Sequence, residues 1–229
     1  MKQHTLSRKF LFILGAAALL GAPALEALTL NINFGGNSAA NWNNLGTTGL
    51  PSSTNLLDDA GNSTGITLAT TGLTSGSYSA SSGVTGTGLT DFPDAVTASY
   101  IYEGPNQSTT EGVITLGNLD VGTFYEVTVY GGRGGVSDTR LTDYALTGLT
   151  SETLTLNVSN STSTVTFAPL KPAVDGSLAL SFQSAATSDS DYGYLNGMII
   201  TAVPEPATYG LVLGLVALTG ILVRRRRMS

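Results

Sequence analysis

Apolar and polar residues alternate in short stretches through the middle of the chain, and clusters of Gly, Asn, Asp and Ser separate these stretches. In residues 125–130 the odd positions are Tyr, Val and Val and the even positions are Glu, Thr and Tyr, the period of two of a half-buried strand. The pattern predicts eight strands, at residues 28–34, 66–69, 113–116, 125–130, 153–158, 164–167, 178–182 and 194–201. Between the two ends of the chain, no segment longer than about ten residues has helical periodicity. Short strands between turn clusters predict an all-β fold, an antiparallel β-sandwich.

Residues 112–130 contain a strand, a turn, a tyrosine and a second strand in succession. This run resembles the corner found in fibronectin type III domains and in galactose-binding-like jelly rolls. Residues 31–36 near the start of the body and 192–200 near its end are similar to the paired terminal strands of one galactose-binding-like module. The resemblance implies a sandwich of jelly-roll type. It concerns the fold and does not identify a ligand.

The N-terminus has the three parts of a secretory signal peptide: basic residues, an apolar run at 10–20, and small residues before a cleavage site. Cleavage by signal peptidase after Ala24 is predicted, with cleavage after Ala27 as the alternative, and the Sec translocon is the expected export partner. An uncleaved membrane helix is less favoured, because the run is shorter than the about 17 to 25 apolar residues that span a bilayer.

The C-terminus contains an uncharged apolar run at 207–223, which predicts a transmembrane helix. Four arginines follow it at once: Arg224, Arg225, Arg226 and Arg227. By the positive-inside rule these arginines stay in the cytoplasm, and the signal peptide places the body on the other side of the membrane. The two ends therefore predict the same topology.

The apolar run is preceded by Val203, Pro204, Glu205 and Pro206. A Pro-Glu-Pro sequence, an apolar helix and an arginine cluster at the chain end resemble the PEP-CTERM sorting signal, which the membrane enzyme exosortase recognises. The resemblance covers residues 203–229. It implies that Pro204, Glu205 and Pro206 are the recognition element, that the tail is processed, and that the protein passes through the inner membrane to the cell surface or extracellular matrix. Two prolines also fix φ and remove two backbone donors, which favours a stiff extended segment. A Pro-rich linker before an ordinary anchor is the alternative.

The body, residues 25–202, is predicted to be one extracytoplasmic β-sandwich domain. Residues 28–203 hold 14 acidic side chains against three basic ones, a formal charge of −11. Such a body should repel nucleic acid and anionic lipid and can attract divalent cations. The chain has no cysteine, so the exported fold must be stabilised by its core and its hydrogen bonds.

The only histidine, His4, lies in the signal peptide. The absence of His and Cys from the body excludes Ser-His-Asp and Cys-His catalysis and the usual zinc sites. Clustered carboxylates in loops rich in Asp, Asn and Gly suit calcium instead. The candidate ligands are Asp58, Asp59, Asp189 and Asp191, and solvated loop acids are the alternative.

Sugar binding needs an exposed aromatic face surrounded by amide groups. The single tryptophan, Trp42, has Asn43 and Asn44 beside it, so these three are candidate polysaccharide-binding residues. A buried tryptophan that holds a loop against the sandwich is the alternative.

Signals at both ends and the missing nucleophile chemistry predict a non-enzymatic surface or matrix protein with adhesive or carbohydrate-binding activity. A carboxylate-based glycoside hydrolase or lyase is the second hypothesis, because acidic pairs such as Asp58 with Asp59 are present. A purely structural coat component is the third.

Overall fold

The structure is a computed structural model that describes residues 27–46, 52–73, 78–79, 81–105 and 111–203. The predicted signal peptide, the apolar run at 207–223 and the Pro-Glu-Pro sequence lie outside these residues.

No helix within the described ranges has the length and apolar character needed to cross a membrane.

The described residues form thirteen strands and one helical turn. The helical turn, α1, is Asp94–Thr97. The strands are β1 Thr29–Asn33, β2 Asn43–Asn44, β3 Thr67–Thr71, β4 Tyr78–Ser79, β5 Tyr100–Glu103, β6 Gly112–Gly117, β7 Phe124–Tyr130, β8 Leu141–Thr147, β9 Ser151–Asn157, β10 Val165–Leu170, β11 Leu178–Ser184, β12 Gly193–Leu195 and β13 Gly197–Val203.

Two five-stranded sheets enclose the core. Their strand orders are β10-β7-β13-β1-β2 and β3-β6-β11-β8-β9, and a small third sheet has the order β12-β5-β4. All pairings between these strands are antiparallel except that of β1 with the two-residue β2. Inward side chains of both large sheets, such as Val127 on β7 and Ile114 on β6, belong to one apolar cluster. The predicted antiparallel sandwich of jelly-roll type is therefore confirmed.

Two details of the predicted jelly roll are present. The terminal strands β1 and β13 pair along the whole of β1, from Thr29 opposite Thr201 to Asn33 opposite Gly197. At the corner before β7, the Asp120 N–H donates to the Tyr125 hydroxyl at 3.2 Å. That bond fixes the turn against the strand, as a tyrosine corner does.

The predicted strand at 194–201 is in fact two strands, because the strand is interrupted at Asn196. The Asn196 side chain is fully buried, where it donates to the backbone oxygens of Thr97 and Gly132 and accepts from the Gly132 N–H. A buried amide needs these partners, and the chain leaves the sheet to provide them. The result is that β12 joins the small sheet and β13 the large one.

The sandwich has two ends that matter for function. We call the first the Val203 end, because β13 finishes there opposite Phe124; its loops are residues 118–123, 148–150 and 171–177. We call the second the Arg133 end, which holds the loop between β7 and β8 and the loop between β11 and β12. Strand β7 connects the two ends and spans about 20 Å at the usual rise per residue.

Candidate binding cleft

A cleft of about 600 Å³ opens at the Arg133 end. It lies where the small sheet meets the β7–β8 loop and the β11–β12 loop. Its walls contain four tyrosines, two arginines, three aspartates and a serine: Tyr100, Tyr102, Tyr192, Tyr194, Arg133, Arg140, Asp138, Asp189, Asp191 and Ser190. The cleft therefore combines aromatic surface with both hydrogen-bond donors and acceptors.

The tyrosines are placed by strand geometry. Tyr100 and Tyr102 are two residues apart on β5, and Tyr192 and Tyr194 are two residues apart at β12, so each pair shares a face. Antiparallel pairing sets Tyr194 opposite Tyr102. The ring centroids of Tyr102 and Tyr192 lie 5.8 Å apart and those of Tyr100 and Tyr194 lie 5.1 Å apart, both edge to face.

The four rings differ in exposure. Tyr100 and Tyr194 are buried, at 4% and 3% exposure, and form the floor. Tyr102 and Tyr192 are half-buried and keep part of their rings accessible. The second pair therefore provides the aromatic surface that a ligand can contact.

Arg140 is held rigidly in the wall of the cleft. Its Nε donates to both carboxylate oxygens of Asp138, at 3.0 and 3.1 Å, and its Nη1 donates to the Tyr194 hydroxyl. The hydrogen bond from Arg140 holds the pKa of Asp138 below its usual range.

Arg133 is fixed differently, through backbone groups. Its Nη1 donates to the carbonyl oxygens of Ser82 at 2.8 Å and Gly134 at 2.6 Å, and its guanidinium carbon lies 5.9 Å from the centre of the Tyr100 ring. Together with Arg140 it accounts for two of the three basic side chains in residues 28–203. The cleft is therefore the place where an acidic body concentrates its guanidinium donors.

A second pocket, of about 450 Å³, adjoins the cleft and shares Ser190 and Asp191 with it. Its wall includes Glu103 and Asp143. Glu103 is 1% exposed, and its Oε1 accepts from the N–H groups of Ser184 at 3.0 Å and Gly193 at 2.9 Å. Burial raises the pKa of Glu103 to about 7 despite these two bonds.

The three residues predicted to bind sugar are not among those that line the cleft. The Trp42 ring is half-buried and packs against Phe92 with centroids 5.6 Å apart, and Trp42 is not among the residues that line the cleft. Asn43 accepts from the Leu57 N–H and donates to the Leu57 carbonyl, both at 2.8 Å. Asn44 bonds in the same way with the backbone of Ala39. These contacts hold the loop, and a ligand role for the three residues stays a prediction.

The structure separates the predicted calcium ligands into two groups. Asp189 and Asp191 line the cleft, whereas the Asp59 N–H bonds to the carbonyl of Thr29, at the start of β1. The Asp58 carboxylate accepts from the side chain and backbone of Asn62 at 2.9 and 2.7 Å, and these bonds lower its pKa. No group of three or more acidic, His or Cys side chains in the described ranges is placed to hold a metal ion. Calcium binding stays a prediction.

Sequence reasoning did not find the four cleft tyrosines. Two Tyr-X-Tyr sequences, at 100–102 and 192–194, were the available signal, since such spacing puts both rings on one face of a strand. The signal became informative only when the two strands were known to be neighbours.

Residues 202–227 match the PEP-CTERM protein-sorting motif, as predicted from the C-terminal sequence. The match identifies the chain as an exported protein that is sorted to the cell envelope. Within the matched segment, the described residues include Val203, the last residue of β13. No curated protein matches the sequence.

Among solved structures, TmCBM61 in complex with β-1,4-galactotriose is similar at 8% identity and a TM-score of 0.31, over 46% of this chain and 72% of that one. A family 35 carbohydrate binding module from an environmental isolate has 17% identity and a TM-score of 0.28, over 57% of this chain and 93% of that one. An exo-β-1,3-galactanase from Phanerochaete chrysosporium, in complex with galactose, has 14% identity and a TM-score of 0.29, over 63% of this chain and 32% of that one.

Proposed function

We propose that the protein is a non-enzymatic, carbohydrate-binding protein of the cell surface or extracellular matrix, and that the tyrosine-lined cleft is its binding site. The observation that carries the proposal is the pair of partly accessible rings of Tyr102 and Tyr192, 5.8 Å apart, beside fixed guanidinium and carboxylate groups. A sugar ring has apolar C–H faces that stack on aromatic surface and hydroxyls that both donate and accept hydrogen bonds.

The electrostatics of the cleft favour a neutral, hydroxyl-rich ligand. Asp138 compensates the charge of Arg140, and Arg133 is accompanied in the wall by Asp189 and Asp191, so groups of both signs line the cleft. A strongly anionic polymer would meet these acids, and a strongly cationic one would meet the guanidinium groups. Hydroxyls can use both kinds of group without burying an uncompensated charge.

The test is retention of the full chain, kept in detergent, on a panel of immobilised neutral polysaccharides. We expect binding to at least one polymer. Tyr102→Ala and Tyr192→Ala should each raise Kd by about 30-fold or more, because truncation of a central aromatic contact typically costs about 2 kcal/mol or more. The matched control is Phe124→Ala, which removes a half-buried ring at the Val203 end and should leave binding unchanged. Retention on no polymer, or tyrosine variants that bind like the wild type, would contradict the proposal.

Glu103 favours a second candidate, the carboxylate-based glycoside hydrolase. Glycoside hydrolysis uses one carboxyl that stays protonated near neutral pH and a second that is ionised. Glu103, with its pKa raised to about 7, lies in a pocket wall that also contains Asp143 and Asp191. Turnover of any bound polysaccharide that Glu103→Gln abolishes would establish this activity, and binding without turnover would exclude it for that polymer.

A further inference from the structure

Three of the four large apolar side chains that the described residues leave exposed lie at the Val203 end. Val121, Leu149 and Val174 are 51%, 64% and 90% exposed, and each belongs to a different loop. The fourth, Leu57, lies in the segment that bonds to Asn43. Exposed apolar groups gathered in one place mark an interaction surface more often than scattered ones do.

The three loops are fixed to one another. The Leu149 N–H donates to the carbonyl of Lys171 at 2.9 Å, which joins the β8–β9 loop to the β10–β11 loop. The Leu119 N–H donates to the carbonyl of Gly176 at 3.0 Å, which joins the β6–β7 loop to the same β10–β11 loop. The apolar side chains are therefore presented by one connected rim, which we call the apolar rim (Val121, Leu149 and Val174).

The chain leaves the sandwich beside this rim. Val203 pairs with Phe124, and Lys171 Nζ lies 4.8 Å from the centre of the Phe124 ring. Three residues separate Val203 from the apolar run at 207–223. Even when fully extended, the four steps from residue 203 to residue 207 span only about 14 Å. A bilayer that held residues 207–223 would thus lie within about 14 Å of Val203, at the same end of the sandwich as the rim.

Charge does not explain an attraction to lipid at this end. Lys171 is accompanied by Asp120 and Asp175, whose carboxylates are hydrogen-bonded to their own turns. These bonds lower the pKa of both aspartates, so both are ionised at neutral pH. The chemistry available for contact is therefore apolar, and the short tether makes the local concentration of the rim at the bilayer high.

We propose that the apolar rim rests on the lipid surface from which the chain's own C-terminal segment emerges, so that the body stands on the membrane in a fixed orientation until it is released. The aliphatic side chains enter the interfacial layer of the bilayer. The tyrosine cleft, at the other end of the sandwich, then faces away from the membrane.

The test uses the full chain reconstituted in phosphatidylcholine vesicles. The chain has no cysteine, so single labelling sites can be introduced cleanly. An environment-sensitive fluorophore is attached to Val121→Cys, Leu149→Cys or Val174→Cys, and in a control to Ser137→Cys, an exposed position in the β7–β8 loop. Nitroxide-labelled lipid serves as the quencher. We expect a blue shift and strong quenching at the three rim positions, little change at Ser137, and the same result at high salt.

A second variant separates lipid contact from simple nearness. The label is placed at Thr150→Cys, exposed beside Leu149, in a chain that also carries Val121→Ser and Val174→Ser. All three changes are at exposed positions, so the fold should be unaffected. We expect the quenching at Thr150 to fall when the two valines are replaced. Equal quenching at the rim and at Ser137, no effect of the serine substitutions, or a chain that fails to float with the vesicles would each overturn the proposal.

Discussion

Glu103 is a carboxyl that the fold holds in an unfavourable environment. Its Oε1 joins the end of β11 to the start of β12 through the N–H groups of Ser184 and Gly193. These bonds favour the ionised form, and burial disfavours it more strongly. The carboxyl thus serves the structure as an acceptor in either protonation state, and its ionisation costs stability.

The pH dependence of stability should show this cost. In the unfolded chain Glu103 titrates near 4.5, and in the folded protein near 7. Between these values the folded protein binds more protons than the unfolded chain, so the free energy of unfolding falls as pH rises and the loss is complete above about pH 7. We expect a loss on the order of 1 to 2 kcal/mol between pH 5 and 8.

Thermal unfolding of the wild type and of Glu103→Gln across this range measures the effect. The glutamine keeps an oxygen for both N–H donors and carries no charge. The Tm of Glu103→Gln should therefore fall less than that of the wild type as the pH rises from 5 to 8. The carboxylates with lowered pKa, among them Asp58 and Asp138, lose their contribution at lower pH and do not mask it. Parallel curves for the two proteins would refute the assignment.

The residues of the candidate binding site could not be predicted from the sequence alone. Trp42 was a candidate because its neighbours are polar, but the amide of Asn43 donates to the backbone of Leu57 in a neighbouring segment and that of Asn44 donates to the backbone of Ala39 in its own loop. The cleft residues come from segments far apart in sequence, such as those of Tyr102 and Tyr192, which are separated by 90 positions. No local pattern shows that such segments meet, because their contact depends on the pairing of β5 with β12.

Among the elements, all eight predicted strand positions are occupied by strands, because their alternation matches the buried face. In β7 the predicted inward residues Tyr125, Val127 and Val129 are buried, and Tyr130 at the end of the strand is buried as well. Strand β8 was not predicted, although it lies between β11 and β9. Its inward positions are Thr142, Tyr144 and Leu146. A buried threonine and a tyrosine beside Asp143 hide the apolar period from the sequence.

The glycines after β7 are required by close packing. A Cβ on Gly131 would lie 1.9 Å from the hydroxyl oxygen of Tyr144 and 2.8 Å from the carbonyl oxygen of Tyr194. That hydroxyl donates to the same carbonyl, so neither group can retreat without breaking a buried hydrogen bond. The segment therefore packs tightly against β8 and β12.

Gly131→Ala should therefore destabilise the protein by about 2 kcal/mol or more, since overpacking of this kind typically costs 1 to 3. Gly122→Ala is the matched control. Its Cβ would meet nothing closer than 3.4 Å, in an exposed turn. Chemical denaturation of both variants gives the comparison. Equal free energies of unfolding would show that the β7–β8 loop adapts more easily than the packing indicates.

At the scale of the whole molecule, the two ends of the sandwich carry different chemistry. The tyrosine cleft occupies one end, and the apolar rim and the exit of the chain occupy the other. The start of β1 is also at the Val203 end, where Thr29 lies opposite Thr201. Both junctions with the predicted sorting segments are thus on the side away from the cleft.

The predicted calcium ligands also lie at opposite ends, in the cleft and near the start of β1, so calcium binding at each place can be tested separately. If an ion binds, calcium should raise the Tm relative to chelator, because a ligand that binds only the folded state stabilises it. Asp191→Asn should remove the rise if the ion lies in the cleft, and Asp59→Asn if it lies near the start of β1. The Asp58 carboxylate is already engaged by Asn62, so we expect the Asp191 variant to have the larger effect. An unchanged Tm would contradict calcium binding.

The antiparallel pairing of the terminal strands also governs how the protein carries mechanical load. A polymer held in the cleft and an anchor beyond Val203 would pull along β13, which pairs with β7 on one side and β1 on the other. The hydrogen bonds on both sides would then be sheared together. Tension between residues 27 and 203, which lie at the same end, would instead peel β1 away one bond at a time.

Single-molecule pulling should find a higher rupture force from residue 137 to 203 than from 27 to 203, and equal forces would argue against this. The body would thus be strongest in the direction in which the proposed polymer binding would load it.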